Sequence, residues 1–218
     1  RRTADRPIAA GRLRPGQGVM VAVVLTLLAL LLLLSLRSLP ALLWSVPAAV
    51  LAGVYPLMKR YIDLPQAVLG LAFSWGIPMA WAAQGGDVPM WPVLPLMLAN
   101  VCWVVAYDTY YAMADREDDE RVGVRSSARL FGRHARGVVL LLNLVTVAIL
   151  AVMGMVAARG LPFACGLGVA LWLMVSAHRA TRSGGAEACF AAFRRSHWQG
   201  AAVWAGLALD LGIHGVWG

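Results

Sequence analysis

Charged side chains are scarce, with Asp, Glu, Lys and Arg making up 14% of the 218 residues, where a soluble domain carries about a quarter. Together with a hydrophobic content of 60% and a mean hydropathy of +0.69, this excludes an ordinary soluble domain and places the chain in a bilayer. Cysteine is scarce too. Cys102, Cys165 and Cys189 form no CxxC pair and have no histidines at zinc-ligand spacing, which argues against a disulfide framework and against a zinc site. The net charge of +8 would suggest nucleic acid in a soluble protein. Here the basic residues lie between apolar segments instead of along one face, so no nucleic-acid partner is implied. There is no Met at position 1, and the polar stretch 1–18 holds no apolar signal core, so the chain is expected to continue upstream of Arg1.

Seven apolar stretches are present, at 19–36, 39–56, 66–83, 91–107, 137–158, 161–177 and 198–216. Most approach the roughly 20 residues that cross about 30 Å of hydrocarbon. They predict an all-α fold, a polytopic membrane helix bundle forming one integral-membrane domain over 1–218. Pro47 falls inside the second stretch, which membrane helices tolerate when neighbours satisfy the freed carbonyl. The nine tryptophans, Trp217 among them, lie near predicted helix ends or on apolar faces, as interfacial anchors do.

Alternate sides of these stretches receive very different numbers of Lys and Arg. Seventeen, including Arg1 and Arg2, fall on one side, and only Arg37 and Arg159 on the other. The positive-inside rule then puts the N-terminus and the loops near 60, 120 and 190 in the cytoplasm, as expected for a multi-pass protein of a bacterial inner membrane.

Acids are distributed as unevenly. Of eleven in the chain, Asp108, Asp115, Glu117, Asp118, Asp119 and Glu120 lie within thirteen positions, at the end of the fourth stretch. If the helix continues there, Asp108, Asp115 and Asp119 project from one face at spacings of seven and four. Like charges so placed repel one another. A divalent cation converts the repulsion into binding, and Mg²⁺ characteristically uses one or two carboxylates and fills its shell with water and phosphate oxygens. The first acid follows directly on an apolar helix, where ionisable groups are costly and mark function. Arginines on the same side could hold the remaining phosphate oxygens. His134, His178, His197 and His214 have no partner at ligand spacing, and Asp210, within the last stretch, is assigned no role.

The run from Tyr107-Asp108-Thr109-Tyr110-Tyr111 through Asp115 to Asp119 resembles the second aspartate-rich motif of the UbiA prenyltransferases, in the form that acts on 4-hydroxybenzoate. Tyr55-Pro56-Leu57-Met58-Lys59-Arg60, followed by Leu64-Pro65-Gln66 and Leu69-Gly70, resembles the family's YPxxKR and LPQxxLG segment. Val122-Gly123-Val124-Arg125-Ser126-Ser127-Ala128 is similar to the loop after the second motif, Arg6-Pro7 to an Arg-Pro after the first, and Glu187-Ala188-Cys189-Phe190 to a late cytoplasmic segment. The family's first motif, NDxxDxxxD, has no match in these 218 residues. About seven of the family's nine helices are therefore expected, with the N-terminal part outside the sequence. Arg125 stands where Lys is usual, Ser127 where Thr is usual, and Arg129 where an aliphatic residue is usual.

The resemblance implies transfer of a polyprenyl group from polyprenyl diphosphate to the ring carbon ortho to the hydroxyl of 4-hydroxybenzoate, a step of ubiquinone biosynthesis. It implies Mg²⁺ at Asp115 and Asp119, with Asp108 as a supporting acid. Substrate contacts fall to Lys59, Arg60, Arg6, Arg125 and Tyr111: Arg60 toward the aromatic carboxylate, Arg6 and Arg125 toward diphosphate oxygens, and Tyr111, with Tyr107, offering a ring face to a developing cation. The partners are the two substrates and the lipid bilayer; no protein partner is implied. Without the first motif, the chain is expected to be impaired or inactive in this transfer; the alternatives are a non-catalytic fragment or degenerate paralogue and, third, a prenyltransferase acting on another aromatic acceptor. CDP-alcohol phosphotransferases fit less well, because Asp108 is followed by Thr109 and not by their DGxxAR pattern.

Overall fold

The computed structural model describes residues 6–85 and 87–214. Arg1, Arg2, Trp217 and the end of the last predicted stretch lie outside the described residues. The described residues form helices and loops with no strand. They divide into two compact units, one of Arg1–Val46 with Pro78–Val88, the other of Pro47–Ile77 with Pro89–Gly218.

In the first unit, α1 (Pro15–Ser35) has no buried residue. A helix that is apolar all round, with its apolar side chains left unburied, has the composition of a membrane helix. Ser38 precedes α2 (Leu39–Met58), caps it by accepting the Ala41 amide at 3.3 Å, and donates to the Ala82 carbonyl at 2.9 Å.

The second unit holds the rest of α2, then α3 (Pro65–Ser74), the start of α4 (Gly76–Ala83), α5 (Met90–Ala114), α6 (Arg116–Val122), α7 (Ser127–Phe131), α8 (Ala135–Val156), α9 (Leu161–Ala180), α10 (Ala186–Arg195) and α11 (His197–His214). Its core is built from Ala106 and Tyr110 of α5, Val139 of α8 and Ala192 of α10, with Met113, Leu142, Ala177 and Phe193 packed around them. Small residues let helices approach closely, as membrane bundles require. A Cβ on Gly166 of α9 would stand 2.8 Å from the Gly206 Cα of α11.

Among the described residues, five helical segments are long and apolar enough to cross a membrane: α1, α2, α5, α9, and α8 with its lead-in from Ser127. The other two predicted stretches differ for local reasons. The stretch 66–83 is divided at Trp75 into α3 and α4, because Pro78 has no amide to give the Ser74 carbonyl one turn back. The last stretch, α11, has the length but carries His197, Gln199 and Asp210 among its apolar residues. The fourth stretch runs on past 107 to Ala114. Its regular geometry starts after Trp91 (φ −101°, ψ 126°), so it spans about 35 Å and its last turns outreach a hydrocarbon core of about 30 Å. Asp108 lies six residues before that end.

Candidate active site

At Asp115 the helix α5 ends and α6 begins, the backbone leaving α geometry at φ −99°, ψ 3° while the Asp119 amide still bonds the Asp115 carbonyl at 2.9 Å. The axis changes without separating the acids. Asp108, Asp115 and Asp119 act on one another electrostatically, and Lys59, at the end of α2, is the cation acting most strongly on both Asp108 and Asp119. Tyr55 of α2 and Tyr107 of α5 also stand beside Asp108.

The other acids of the cluster are occupied differently. Arg116 pairs with Glu120 at 3.0 Å, and Arg121 with Asp118 at 3.8 Å and Glu117 at 4.0 Å, all within α6. Exposed pairs at these spacings contribute little beyond solvating a helix. Half of the crowding is thus surface charge, and the remaining three carboxylates are the ones at the helix junction.

A polar relay fixes this junction. Gln66, in the first turn of α3 and 2% exposed, accepts the Ser127 amide on Oε1 at 3.1 Å. The same Gln66 side chain stands beside the Asp108 carboxylate. The Ser127 hydroxyl bonds the buried Thr109 hydroxyl at 2.8 Å, and Thr109 donates to the Val105 carbonyl at 2.6 Å. The loop after α6 is thus attached to both α3 and α5. Gly123 closes α6 in the left-handed conformation (φ 77°), where a residue without Cβ is unstrained, and turns the chain back toward α2. There the Arg125 amide donates to the Lys59 carbonyl at 3.0 Å, and the Arg125 guanidinium to the Tyr61 carbonyl at 2.9 Å, with Asp63 at 3.4 Å.

Asp119 lies outside the spanning helices. Burial raises its carboxyl above the usual carboxylate range; Lys59 opposes this most strongly, Asp115 adds to it, and Ser126 and Arg129 work with Lys59.

Among the described residues, no group of three or more His, Cys, Asp or Glu converges as a metal site. A pair of hard carboxylates is nevertheless what Mg²⁺ takes from a protein when phosphate and water supply the rest. Asp115 and Asp119 fit that requirement. Arg60 is exposed on the turn after α2. Arg6 is exposed and belongs to the first unit; the carboxylates belong to the second.

Tyr111 contributes to an aromatic wall not foreseen from the sequence. It meets Phe193 of α10 edge-on at 5.0 Å, and Tyr107 meets Trp103 at 5.2 Å with planes at 78°. The missed element is α10 itself. Its signal is the spacing of Cys189, Phe190, Ala192 and Phe193 on one face with Glu187, Arg194 and Arg195 in between, a helical period too short to register as a span. Further along α5, an apolar cavity of about 290 Å³ lies among α5, α8, α9 and α11, lined by Leu96, Ala99, Leu150 and Leu167, with Trp103 and Gln199 on its wall. The Trp103 indole donates to Gln199 Oε1 at 2.8 Å.

The model of the UbiA prenyltransferase family matches residues 1–201. A 4-hydroxybenzoate octaprenyltransferase of Chromohalobacter salexigens is 46% identical over 211 residues, which are 97% of this chain and 70% of that protein. A 4-hydroxybenzoate octaprenyltransferase of Aeromonas salmonicida is 45% identical, over 96% of this chain and 72% of its own. Among solved structures, a UbiA homolog from Aeropyrum pernix K1 superposes with a TM-score of 0.79 at 23% identity, covering 96% of this chain and 78% of the other. That likeness speaks for the fold alone.

Proposed function

From the membership of this chain in the UbiA prenyltransferase family, we propose that it transfers a polyprenyl group from polyprenyl diphosphate to 4-hydroxybenzoate, at the ring carbon ortho to the hydroxyl. What supports this reading is the meeting of Asp108, Asp115 and Asp119 with Lys59 where α5 leaves the membrane, in a chain 46% identical to a protein named for that substrate.

In this reading Asp115 and Asp119 hold Mg²⁺, which when bound neutralises the diphosphate and eases its departure. Lys59 adds an ammonium to the same oxygens, and Asp108, steadied by Gln66, keeps Lys59 in place. The allylic C–O bond breaks with its electron pair leaving on the diphosphate. A π pair of the ring then forms the new C–C bond, and the proton on that carbon is lost to restore aromaticity. Tyr107 and Tyr111 offer ring faces to the developing cation, Arg60 takes the aromatic carboxylate, and Arg125 orders the loop on which Ser126 and Ser127 sit. The apolar cavity beyond Trp103 accepts the start of the prenyl chain. In this reading the site lies at the cytoplasmic face of a bacterial inner membrane, an orientation that the excess of Lys and Arg near 60, 120 and 190 supports.

The test is prenylation of 4-hydroxybenzoate by membranes carrying this chain, with polyprenyl diphosphate and Mg²⁺. Product is expected, abolished by EDTA, and reduced at least about 100-fold by Asp115→Asn, since losing one charged ligand removes several kcal/mol of electrostatic stabilisation. Unchanged prenylation by Asp115→Asn would remove the catalytic assignment. No product from the parent chain would favour a non-catalytic relative.

A further inference from the structure

Two hollows of the second unit meet at one residue. The apolar cavity of about 290 Å³ has Trp103 on its wall, beside Gln199, Gly200 and Trp204. Toward the carboxylate end of α5, a cleft of about 420 Å³ is lined by Trp103, Tyr107, Phe193, Arg194, Ser196 and His197. Trp103 is the residue that the two linings share. On one side of it the walls are mostly aliphatic; on the other they are aromatic rings, a guanidinium and an imidazole.

The indole is fixed from three directions. Its Nε1 donates to Gln199 Oε1 at 2.8 Å, and Gln199 is 3% exposed, so losing either partner leaves the other polar group unpaired away from water. Gly200 takes the far edge of the ring: a Cβ there would lie 2.8 Å from the indole Cη2 and 3.3 Å from Cζ2, a space that a residue without Cβ leaves open. Tyr107, one turn along α5, meets the ring edge-on at 5.2 Å with planes at 78°. The helix α11 packs chiefly on α9, and the indole bridges from α5 to α11 across the space between them. A tryptophan that only filled the core would be enclosed on every side. Trp103 is open to a hollow on two.

We propose that Trp103 is a positioning residue, a partition held by Gln199 and Gly200 that confines the prenyl chain to the apolar cavity and lets its allylic end alone pass into the cleft, where it meets the aromatic acceptor and not water. The identity of the two occupants rests on the proposed function; the partition rests on the geometry. Without the indole, water gains the allylic carbon. Its oxygen forms a C–O bond to the carbon that the diphosphate has left, its proton passes to solvent, and the products are prenyl alcohol and diphosphate in place of the prenylated acid. Exclusion of such side reactions is a general task of an enclosed site.

The first experiment gives membranes carrying the chain geranylgeranyl diphosphate, Mg²⁺ and 4-hydroxybenzoate, and measures the prenylated acid and the EDTA-sensitive prenyl alcohol together. Trp103→Ala is expected to raise the ratio of alcohol to prenylated acid at least about tenfold, a change of about 1.4 kcal/mol in the competition between the two captures. Trp103→Phe should recover part of the selectivity, and Gln199→Leu and Gly200→Ala, which leave the ring but release or displace it, should raise the ratio by less. A merely structural role would lower both products together and leave their ratio unchanged. Size-exclusion profiles certify that each variant is folded.

The second experiment needs no turnover. The detergent-solubilised chain is labelled with 5-fluorotryptophan, and the Trp103 and Trp204 fluorine signals are identified by their loss in Trp103→Phe and Trp204→Phe. Geranylgeraniol and 4-hydroxybenzoate are then added separately. The Trp103 signal should shift with each of them, and the Trp204 signal, from a residue that lines the cavity alone, with the alcohol only. An unchanged product ratio in folded Trp103→Ala, or a Trp103 signal blind to either compound, overturns the proposal. If the parent chain makes no prenylated acid, the proposed reaction falls, and the fluorine signals by themselves decide the partition.

Discussion

Ser127 donates its amide to Gln66 Oε1 at 3.1 Å, joining the loop after α6 to the first turn of α3 across sixty-one residues of sequence. Both groups are buried. Gln66→Leu keeps the volume and removes the acceptor, leaving a buried N–H unpaired at a cost of about 1–3 kcal/mol. The variant is expected to melt at a lower temperature in detergent. It should also lose prenyl transfer in kcat more than in KM, since Asp108 loses the polar neighbour beside it and the loop carrying Ser126 and Ser127 loses its anchor.

Asp119 gives the metal-free protein a pH dependence of known sign. Burial raises its carboxyl in the folded chain, so between the unfolded and the raised folded pKa the native state binds more protons than the unfolded state. Stability contributed by this group is therefore greatest at low pH and falls as pH rises through that window. In EDTA, Asp119→Asn should flatten this slope and raise the melting temperature near neutral pH. The gain should be under about 1 kcal/mol, because the group is partly solvated. Magnesium should reverse the trend, stabilising the parent chain more as pH rises, and a pH series of melting curves with and without the ion reads both effects.

The approach of α9 to α11 gives a third expectation. A Cβ on Gly166 would lie 2.5 Å from the Ala202 carbonyl oxygen, and one on Gly206 would lie 2.8 Å from the Gly166 Cα. Backbone cannot swing aside as a side chain can, so Gly166→Ala must separate the helices. Overpacking of this kind costs roughly 1–3 kcal/mol. Gly168 on the same helix meets nothing within 4 Å, and Gly168→Ala should be neutral or slightly stabilising in the same melting assay.

Much of this architecture is legible in the sequence because membrane helices announce themselves by composition. The uniform runs of α1, α8 and α9 needed no knowledge of their neighbours. The break at Trp75 depended on one missing amide, that of Pro78, inside a stretch that is otherwise continuous. The helix α10 was hidden because Glu187, Arg194 and Arg195 dilute its apolar face. At the site, the crowding of acids was visible, but its division was not: Glu117 and Glu120 are told apart from Asp115 and Asp119 only by which arginines lie within reach. Gln66 carried no charge pattern to single it out, and its role emerges only from the loop that folds back onto it.

Asp210 was likewise unreadable, because its partner lies fifty residues away. It is 1% exposed, accepts the Gly160 amide at 2.8 Å and holds Arg159 at 3.7 Å, between the start of α9 and the end of α11 and so at the end of this unit away from the carboxylates. Breaking such a pair from one side strands a buried charge, typically at about 3–5 kcal/mol, whereas replacing both partners by apolar groups is often neutral. Asp210→Ala should therefore destabilise the chain strongly and Asp210→Asn less, since the amide oxygen still accepts from Gly160. The double variant Arg159→Leu/Asp210→Leu should recover much of the loss. Prenyl transfer measured below the melting transition should stay near the parent rate in all three, because this pair touches no residue of the carboxylate site. If the double variant melts no higher than Asp210→Ala, the ion pair is not the source of the cost, and the Gly160 amide that every apolar replacement leaves unsatisfied is.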